Sequence, residues 1–262
     1  MFIPRFQGLS RRGTNIYLKM NMQLTMLREL IGNRAEMYRI GPKVITNLLK
    51  GILVLEKRRM VLQNIQPSTI MISKDGEELH FGDLSHVTKE GHPKDNVEML
   101  HPPYVYDLVE RLSFKDYAHS VKDRYSIGIV ILEILAGSDL VIMANGEELV
   151  AQLLRDLFDY LSPATLGLLQ YLIFNEHTVN IQAFIDQWAT GHYEVLTADI
   201  LRVEAAFQED ARLQVWHGRT MNYIEKETFP AYIRHRLMPG DIQRNIDWEV
   251  VKTLRENEAN GI

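Results

Sequence analysis

The feature that most restricts the fold of this chain is a helix-forming segment that is apolar on nearly every side. It runs from Tyr125 to Ala136 in a sequence of 262 residues. A helix without a polar face belongs in the interior of a protein. The segment is too short to cross a bilayer, and Asp123, Arg124 and Glu133 lie beside or within it. It therefore predicts a buried helix in a globular protein.

Weaker patterns outline the elements around this helix. Gly41-Pro42 opens a periodic apolar segment that ends near Leu55 and predicts a helix of about four turns. Two apolar runs on either side of Asp75-Gly76 predict a β-hairpin, with strands at Ile70–Ile72 and Leu79–Phe81. The other predicted elements are a strand at Ile16–Met20 after a turn at Gly8–Asn15 and helices at Leu24–Ile31, Glu147–Leu161, Leu166–Phe174 (after the cap Ser162-Pro163), Ile181–Trp188, Leu196–Trp216 and Trp248–Leu254.

Three stretches resemble the motifs of protein kinases. Residues Leu62–Thr69 resemble the catalytic loop H-R-D-x-K-P-x-N, the hairpin follows as in that family, and Asp83-Leu84-Ser85 stands in the place of D-F-G. Residues Asp123–Gly137 resemble the helix at the centre of the kinase large lobe. Val109-Glu110 weakly resembles the A-P-E motif, although no arginine in residues 175–180 is suited to pair with Glu110.

The resemblance implies that the reactive groups have been replaced. Asn64 stands where the family has its catalytic aspartate, and an amide cannot act as a base near neutral pH. Gln66 replaces a lysine, and Thr69 replaces a metal-binding asparagine. Asp83 alone keeps its type, and one carboxylate is a weak magnesium site. We therefore expect a pseudokinase with no catalytic, cofactor-binding or metal-binding residues.

The same resemblance implies a domain organisation. No G-x-G-x-x-G loop, lysine strand or glutamate-bearing helix precedes the hinge-like residues Met20–Leu24. We expect a remnant of the small lobe in residues 1–22, a large-lobe-like domain in residues 23–190 and a C-terminal helical extension in residues 191–262. The fold class is then mainly α (α+β), a kinase C-lobe-like helical bundle with short β-hairpins. Asp123 is expected to cap its helix and to tie it to the loop around Gln63.

Charge is unevenly distributed along the chain. Residues 1–60 contain twelve Lys or Arg against three Glu, which is +9 and leaves −14 for the rest of a chain with net charge −5. A basic face that docks an acidic partner, including nucleic acid, is one interpretation. A solvated face that balances the acidic remainder of the chain is the preferred one, because aromatic residues are not interleaved among these charges as they are in stacking nucleic-acid sites.

Composition adds little about chemistry or compartment. The chain has no cysteine, no H-E-x-x-H spacing among its nine histidines, no G-x-S-x-G elbow, and no apolar run long enough to span a membrane. We expect a cytoplasmic protein. A mitochondrial location is the alternative, because the first 28 residues contain several arginines and no acid.

These observations favour a catalytically inactive structural or interaction subunit of a larger assembly, with protein partners. The loops Leu62–Gln66 and Leu84–Val87, together with Met20–Leu24, are the expected contact surface, with Met22 and Leu84 as its test positions. One alternative is a divergent phosphotransferase that uses Asp83 and a small lobe supplied by a partner. Another is an RNA-associated assembly component that uses the basic first 60 residues.

Overall fold

Seven helices and seven short strands make up the described part of the chain. The computed structural model describes residues 6–12, 15–20, 24–84, 86–92, 118–137, 146–175, 179–189, 193–210 and 213. The helices are α1 Leu27–Ile31, α2 Arg34–Lys57, α3 Ser120–Ala136, α4 Gly146–Asp156, α5 Pro163–Phe174, α6 Ile181–Ala189 and α7 Glu194–Glu209. The strands are β1 Phe6–Arg12, β2 Asn15–Met20, β3 Leu24–Met26, β4 Met60–Val61, β5 Ile70–Ser73, β6 Leu79–Phe81 and β7 Thr88–Lys89. The mainly helical α+β class with short hairpins is confirmed.

The strands form three small antiparallel sheets. Strands β1 and β2 pair as a hairpin, and β4 pairs with β7. The third sheet has the order β3-β5-β6, and β5 and β6 are the hairpin predicted around Asp75-Gly76. Gly76 has a φ of +74°, a left-handed conformation that glycine adopts without strain. Inside this bend a Cβ on Gly76 would lie 2.8 Å from Cβ of Ile40, so the turn also needs the small residue for space.

Helix α3 confirms the buried helix that the sequence predicts. Every residue from Tyr125 to Ala136 is buried, and the helix packs against α2, α5 and α7. Gly128 lets α5 approach closely, because a Cβ there would lie 2.7 Å from Cγ1 of Ile173. The helix ends at Gly137, whose φ of +69° is the left-handed conformation common at helix C-termini.

Helix α2 begins earlier than its proline suggests. The sequence predicts a start at Gly41-Pro42, whereas the helix starts at Arg34 with Asn33 as its cap. Pro42 lies inside the helix, where it removes one backbone hydrogen bond. The helix continues through this position because its apolar side is enclosed by α3, α6 and α7, so packing outweighs the local cost. The predicted helix is therefore correct in its second half and wrong in its start.

Local boundaries differ in other places: Gly8–Arg12 belong to β1 rather than to a turn, and α7 covers Glu194–Glu209 rather than Leu196–Trp216. Residues Leu24–Met26 form β3 rather than the first turn of a helix, because they pair with Met71–Ser73. Helix α4 stops at Asp156 instead of Leu161, and a turn follows. Helix α5 begins at Pro163 with Ser162 as its cap, which confirms that signal. Met22, Ser85, Val109-Glu110 and Trp248–Leu254 lie outside the described residues.

Helix α7 belongs to the same hydrophobic core as α2 and α3. Leu196, Ile200, Val203 and Ala206 are buried in that core. Asp199 is fully buried and accepts hydrogen bonds from the backbone N–H and the hydroxyl of Ser162, at 3.0 and 2.8 Å. The start of the expected C-terminal extension is thus fastened to the N-terminus of α5. None of the described helices is long and apolar enough to cross a membrane.

Candidate functional site

The candidate site is the loop between β4 and β5, which a buried aspartate holds from below. Asp123 lies in the first turn of α3 and is 4% exposed. Its Oδ2 accepts a hydrogen bond from the backbone N–H of Leu62 at 2.6 Å, and its Oδ1 accepts one from Gln63 at 3.0 Å. Burial raises the pKa of this carboxyl group to about 7, and the two N–H donors oppose that rise. The predicted tie between Asp123 and the loop is present.

The predicted capping role of Asp123 is wrong. Helix α3 begins after His119, whose Nδ1 accepts a hydrogen bond from the backbone N–H of Val121 at 3.2 Å. Asp123 comes four residues later, so its carboxylate is free to reach the loop. The prediction places the start of the helix just before Tyr125, where the apolar segment begins. The helix starts about one turn earlier, at Ser120, so its cap is His119.

Gln63 gives the loop its shape. Its φ of +64° is unusual for a residue other than glycine. The side chain is buried, and its Nε2 donates to the carbonyl oxygen of His86 at 2.7 Å. This bond connects the loop to the segment after β6. The loop is therefore held at both sides, by Asp123 and by His86.

The two residues that matter most for chemistry lie side by side. Asn64 Nδ2 donates to Oδ2 of Asp83 at 2.5 Å. Asn64 is 4% exposed, and Asp83 is partly exposed at the end of β6. Gln66 Nε2 in turn donates to Oδ1 of Asn64 at 3.1 Å. The result is a short chain of two amides ending on one carboxylate.

The hydroxyl of Thr69 is used inside the loop. It lies 3.0 Å from the carbonyl oxygens of both Asn64 and Gln66, and it accepts from the backbone N–H of Gln66 at 3.2 Å. These bonds stabilise the short 3₁₀ helix Pro67–Thr69, which is one turn long. Thr69 therefore shapes the loop.

The hairpin positions Asp83. Gly82 donates its backbone N–H to the carbonyl oxygen of Thr69 at 2.7 Å, so the end of β6 lies against the loop. Behind it, the ring of Phe81 packs against Gly51 of α2, where a Cβ would lie 3.2 Å from the ring. The hairpin and α2 together fix the carboxylate opposite Asn64.

This arrangement can bind through hydrogen bonds but offers little for proton transfer. An amide has no proton affinity near neutral pH, so Asn64 cannot accept a proton from an attacking hydroxyl group. Asp83 is the carboxylate of the site, and its Oδ2 is occupied by Asn64. Across the described ranges, no three His, Asp or Glu side chains cluster closely enough to hold a metal ion.

The expected contact surface needs a correction. Leu62, Ile65 and their neighbours in Leu62–Gln66 are buried within the chain, so they do not present a surface to a partner. Leu84 and Val87 are partly buried and pack against the core. The prediction failed for the first loop because polar residues in a loop suggest exposure, whereas here several of them are buried by bonds to α3, to the segment after β6 and to each other.

Sequence reasoning missed Arg34, which connects three helices. Its guanidinium group donates to the carbonyl oxygens of Ile134, Leu135 and Ile200 at 3.1, 3.2 and 3.2 Å. Its Nε lies 3.8 Å from a carboxylate oxygen of Glu204. Arg34 thus satisfies carbonyl groups at the C-terminus of α3 and one in α7. No local pattern marks this arginine, because its partners lie 100 or more residues away.

Comparison with known proteins gives a distant similarity to solved structures. No protein-family model and no curated protein matches the chain. Among solved structures, the chain is similar to the crystal structure of a Toxoplasma gondii specific rhoptry antigen kinase domain, with a TM-score of 0.47 and 12% sequence identity. The match covers 74% of this chain and 56% of that domain, so this chain spans about half of its length. At this identity, no residue role passes from that domain to this chain.

Proposed function

We propose that this protein is a catalytically inactive, protein kinase-like chain that serves as a structural or interaction subunit of a larger assembly. The observation that carries the proposal is the pairing of Asp83 with the amide of Asn64 at 2.5 Å. In a working phosphoryl-transfer site these two positions would bear a metal-binding carboxylate and a catalytic base. Here an amide occupies the position of the base and binds the carboxylate.

The neighbouring groups support the same conclusion. Gln66 is uncharged and bonds to Asn64, so it adds no positive charge for a transferring phosphate. Thr69 directs its hydroxyl to the loop backbone and offers no second ligand beside Asp83. A magnesium ion in such sites usually needs carboxylate and phosphate oxygens together. A catalytic role would therefore depend on groups that another molecule brings.

The scaffold around the loop is intact, which favours a binding role. Asp123 still holds the backbone of Leu62 and Gln63, and α3 still fills the centre of the core. On the other side of the loop, β3 lies at the edge of its sheet, and Met26 on this strand is 46% exposed. Exposed apolar side chains beside a sheet edge are typical of surfaces that bind a partner.

Nucleotide binding is the first test. We expect millimolar Mg-ATP to leave the melting temperature of the wild-type protein unchanged, because a ligand stabilises a protein only when it binds the folded state. The Asp83→Asn variant is the matched control and should behave as the wild type does. Stabilisation of the wild type that disappears in Asp83→Asn would reject the inactive assignment and favour the divergent phosphotransferase.

Assembly is the second test. The native protein should elute from a sizing column well above the 30.4 kDa of the single chain. Met26→Asp places a charge on the exposed apolar side chain at the sheet edge and should reduce the share in the larger species. Elution of the native protein as a monomer would reject the subunit role.

A further inference from the structure

A group of exposed cations runs from the last turns of α2 into the β4–β7 pair. We call it the basic stripe, and it consists of Lys50, Lys57, Arg58, Arg59 and Lys89. Lys50 and Lys57 are seven residues apart on α2 and therefore lie on the same side of the helix, about 10 Å apart. Lys89 lies opposite Met60 in the antiparallel pair, next to Arg59. All five side chains are exposed.

The carboxylates next to the stripe are already engaged elsewhere. Glu56 lies 3.5 Å from Nε of Arg124. Glu90 accepts hydrogen bonds from the backbone N–H and the hydroxyl of Ser120, at 3.2 and 2.8 Å. Burial alone would raise the pKa of Glu90, but these bonds and nearby cations lower it overall. Both acids are bonded to residues of α3, and Glu90 is also close enough to Arg59 to offset part of the charge of that one member of the stripe.

Exposed cations elsewhere in the described chain mostly have local partners. Arg39 pairs with Glu36 at 2.5 Å, and Arg202 pairs with Asp199. Lys43 pairs with Glu77. In the described part of the chain, the cations Arg39 and Lys43 in the first turns of α2 are therefore paired locally, whereas those at its end form an exposed group.

We propose that the basic stripe is a docking surface for an acidic segment of a partner protein. Five clustered cations attract a run of carboxylates and speed its association, and the attraction weakens with salt. The residues next to these cations in the sequence include no aromatic side chain, so the stripe lacks the rings on which nucleic-acid bases stack. A protein segment rich in Asp and Glu is therefore the occupant that fits this surface. The inference rests on the proposed interaction role and adds the partner's chemistry.

The test uses a fluorescein-labelled deca-glutamate peptide and the full-length protein, with fluorescence anisotropy as the readout. The test variant is Lys57→Glu with Arg58→Glu, which leaves Arg59 unchanged because its φ of +51° makes that backbone position sensitive to substitution. The control is Lys74→Glu with Arg155→Glu, two exposed cations outside the stripe. Both variants change the net charge equally. At about 50 mM salt we expect the test variant to bind about tenfold more weakly and the control to stay within about twofold of the wild type.

Three results would overturn the proposal. Equal weakening in the test and control variants would show attraction to net charge alone. Absence of peptide binding by the wild type would show that the stripe does not recognise carboxylates. Tighter binding of a 20-nucleotide oligouridylate than of the peptide, with the same dependence on Lys57 and Arg58, would assign the stripe to RNA. None of these results changes the Mg-ATP test, so the two proposals fail separately.

Discussion

Two aspartates on opposite sides of one loop have different roles. Asp123 lies below the loop, almost fully buried, and accepts hydrogen bonds from two backbone N–H groups. Asp83 lies above the loop, partly exposed, and accepts one from the side chain of Asn64. The backbone N–H groups of Leu62 and Gln63 are present whichever side chains stand there, so removing the carboxylate of Asp123 leaves both groups without their acceptor. The amide of Asn64 that bonds to Asp83 belongs to a side chain, which can change together with it, so we expect the upper side to tolerate substitution better.

The sharpest test of this comparison removes each carboxylate in turn. Asp123→Ala should lower the free energy of unfolding by about 4 kcal/mol, because two buried N–H donors lose their acceptor. Asp83→Ala should lower it by about 1 kcal/mol, because removing this partly exposed carboxylate leaves space for a water molecule to bond to the amide of Asn64. Urea unfolding followed by circular dichroism measures both. Similar losses in the two variants would contradict the division of the loop into a structural side and a tolerant side.

A second test measures whether Arg34, like Asp123, is needed for the stability of the fold. Arg34→Ala should lower the free energy of unfolding by about 3 kcal/mol, because carbonyl groups at the end of α3 and in α7 lose a charged donor. Arg39→Ala is the matched control on the same helix and breaks exposed contacts, an ion pair with Glu36 and a hydrogen bond to the carbonyl oxygen of Lys74, for which we expect a loss of at most about 1 kcal/mol. A loss for Arg34→Ala no larger than the control would show that α7 does not depend on this arginine.

The pH dependence of stability tests the burial of Asp123 directly. Its pKa rises from 3.8 in the unfolded chain to about 7 in the folded protein. The folded state therefore binds the proton more tightly, so this group contributes stability at low pH that is lost as pH rises from about 4 to about 7. The slope is at most about 1.4 kcal/mol per pH unit.

Asp123→Asn removes the titrating group and serves as the reference, since other acids contribute equally to both proteins. The difference in unfolding free energy between wild type and Asp123→Asn should become less favourable to the wild type between pH 4 and pH 7. A difference that is constant over this range would mean that the carboxyl group keeps its ordinary pKa in the fold.

The smallest expected effect concerns packing around α3. Gly167→Ala in α5 should stabilise the protein by about 1 kcal/mol, because its Cβ would meet no atom within 4 Å and alanine favours the helix. Gly128→Ala in α3 should destabilise it by about 1 kcal/mol, because its Cβ would lie 2.7 Å from Ile173. Thermal unfolding of the two variants gives the comparison. A stabilising Gly128→Ala would indicate that α3 and α5 are less closely packed than described.

Much of the frame could be predicted because its signals are local. The apolar residues of α3 follow one another without a polar face, and the strands around Asp75-Gly76 are short apolar runs beside a turn. Ser162-Pro163 marks the start of α5 by its cap and proline. In each case the physical cause lies within a few residues of the element.

For the candidate site, the sequence predicts which residue types are present but only part of their arrangement in space. The replacement of charged groups by Asn64, Gln66 and Thr69 is visible in the sequence, and the structure places Asn64 against Asp83. The burial of the loop does not follow from its sequence, because it depends on hydrogen bonds of its backbone to Asp123 and of its side chains to one another and to His86. The sequence shows an excess of positive charge over residues 1–60, but it does not show that exposed cations cluster at the end of α2.

The sequence alone determined which segments are apolar enough to be buried, where the hairpin turns and which side chains could carry charge at the loop. Only the tertiary structure decided that α2 continues through Pro42, that His119 caps α3, and that Arg34 joins helices whose residues are up to 166 positions apart. Hydrophobic periodicity acts between neighbours, and a short window of sequence contains it. Hydrogen-bond and ion-pair partners are set by the packing of distant elements, so they appear only once the chain has folded.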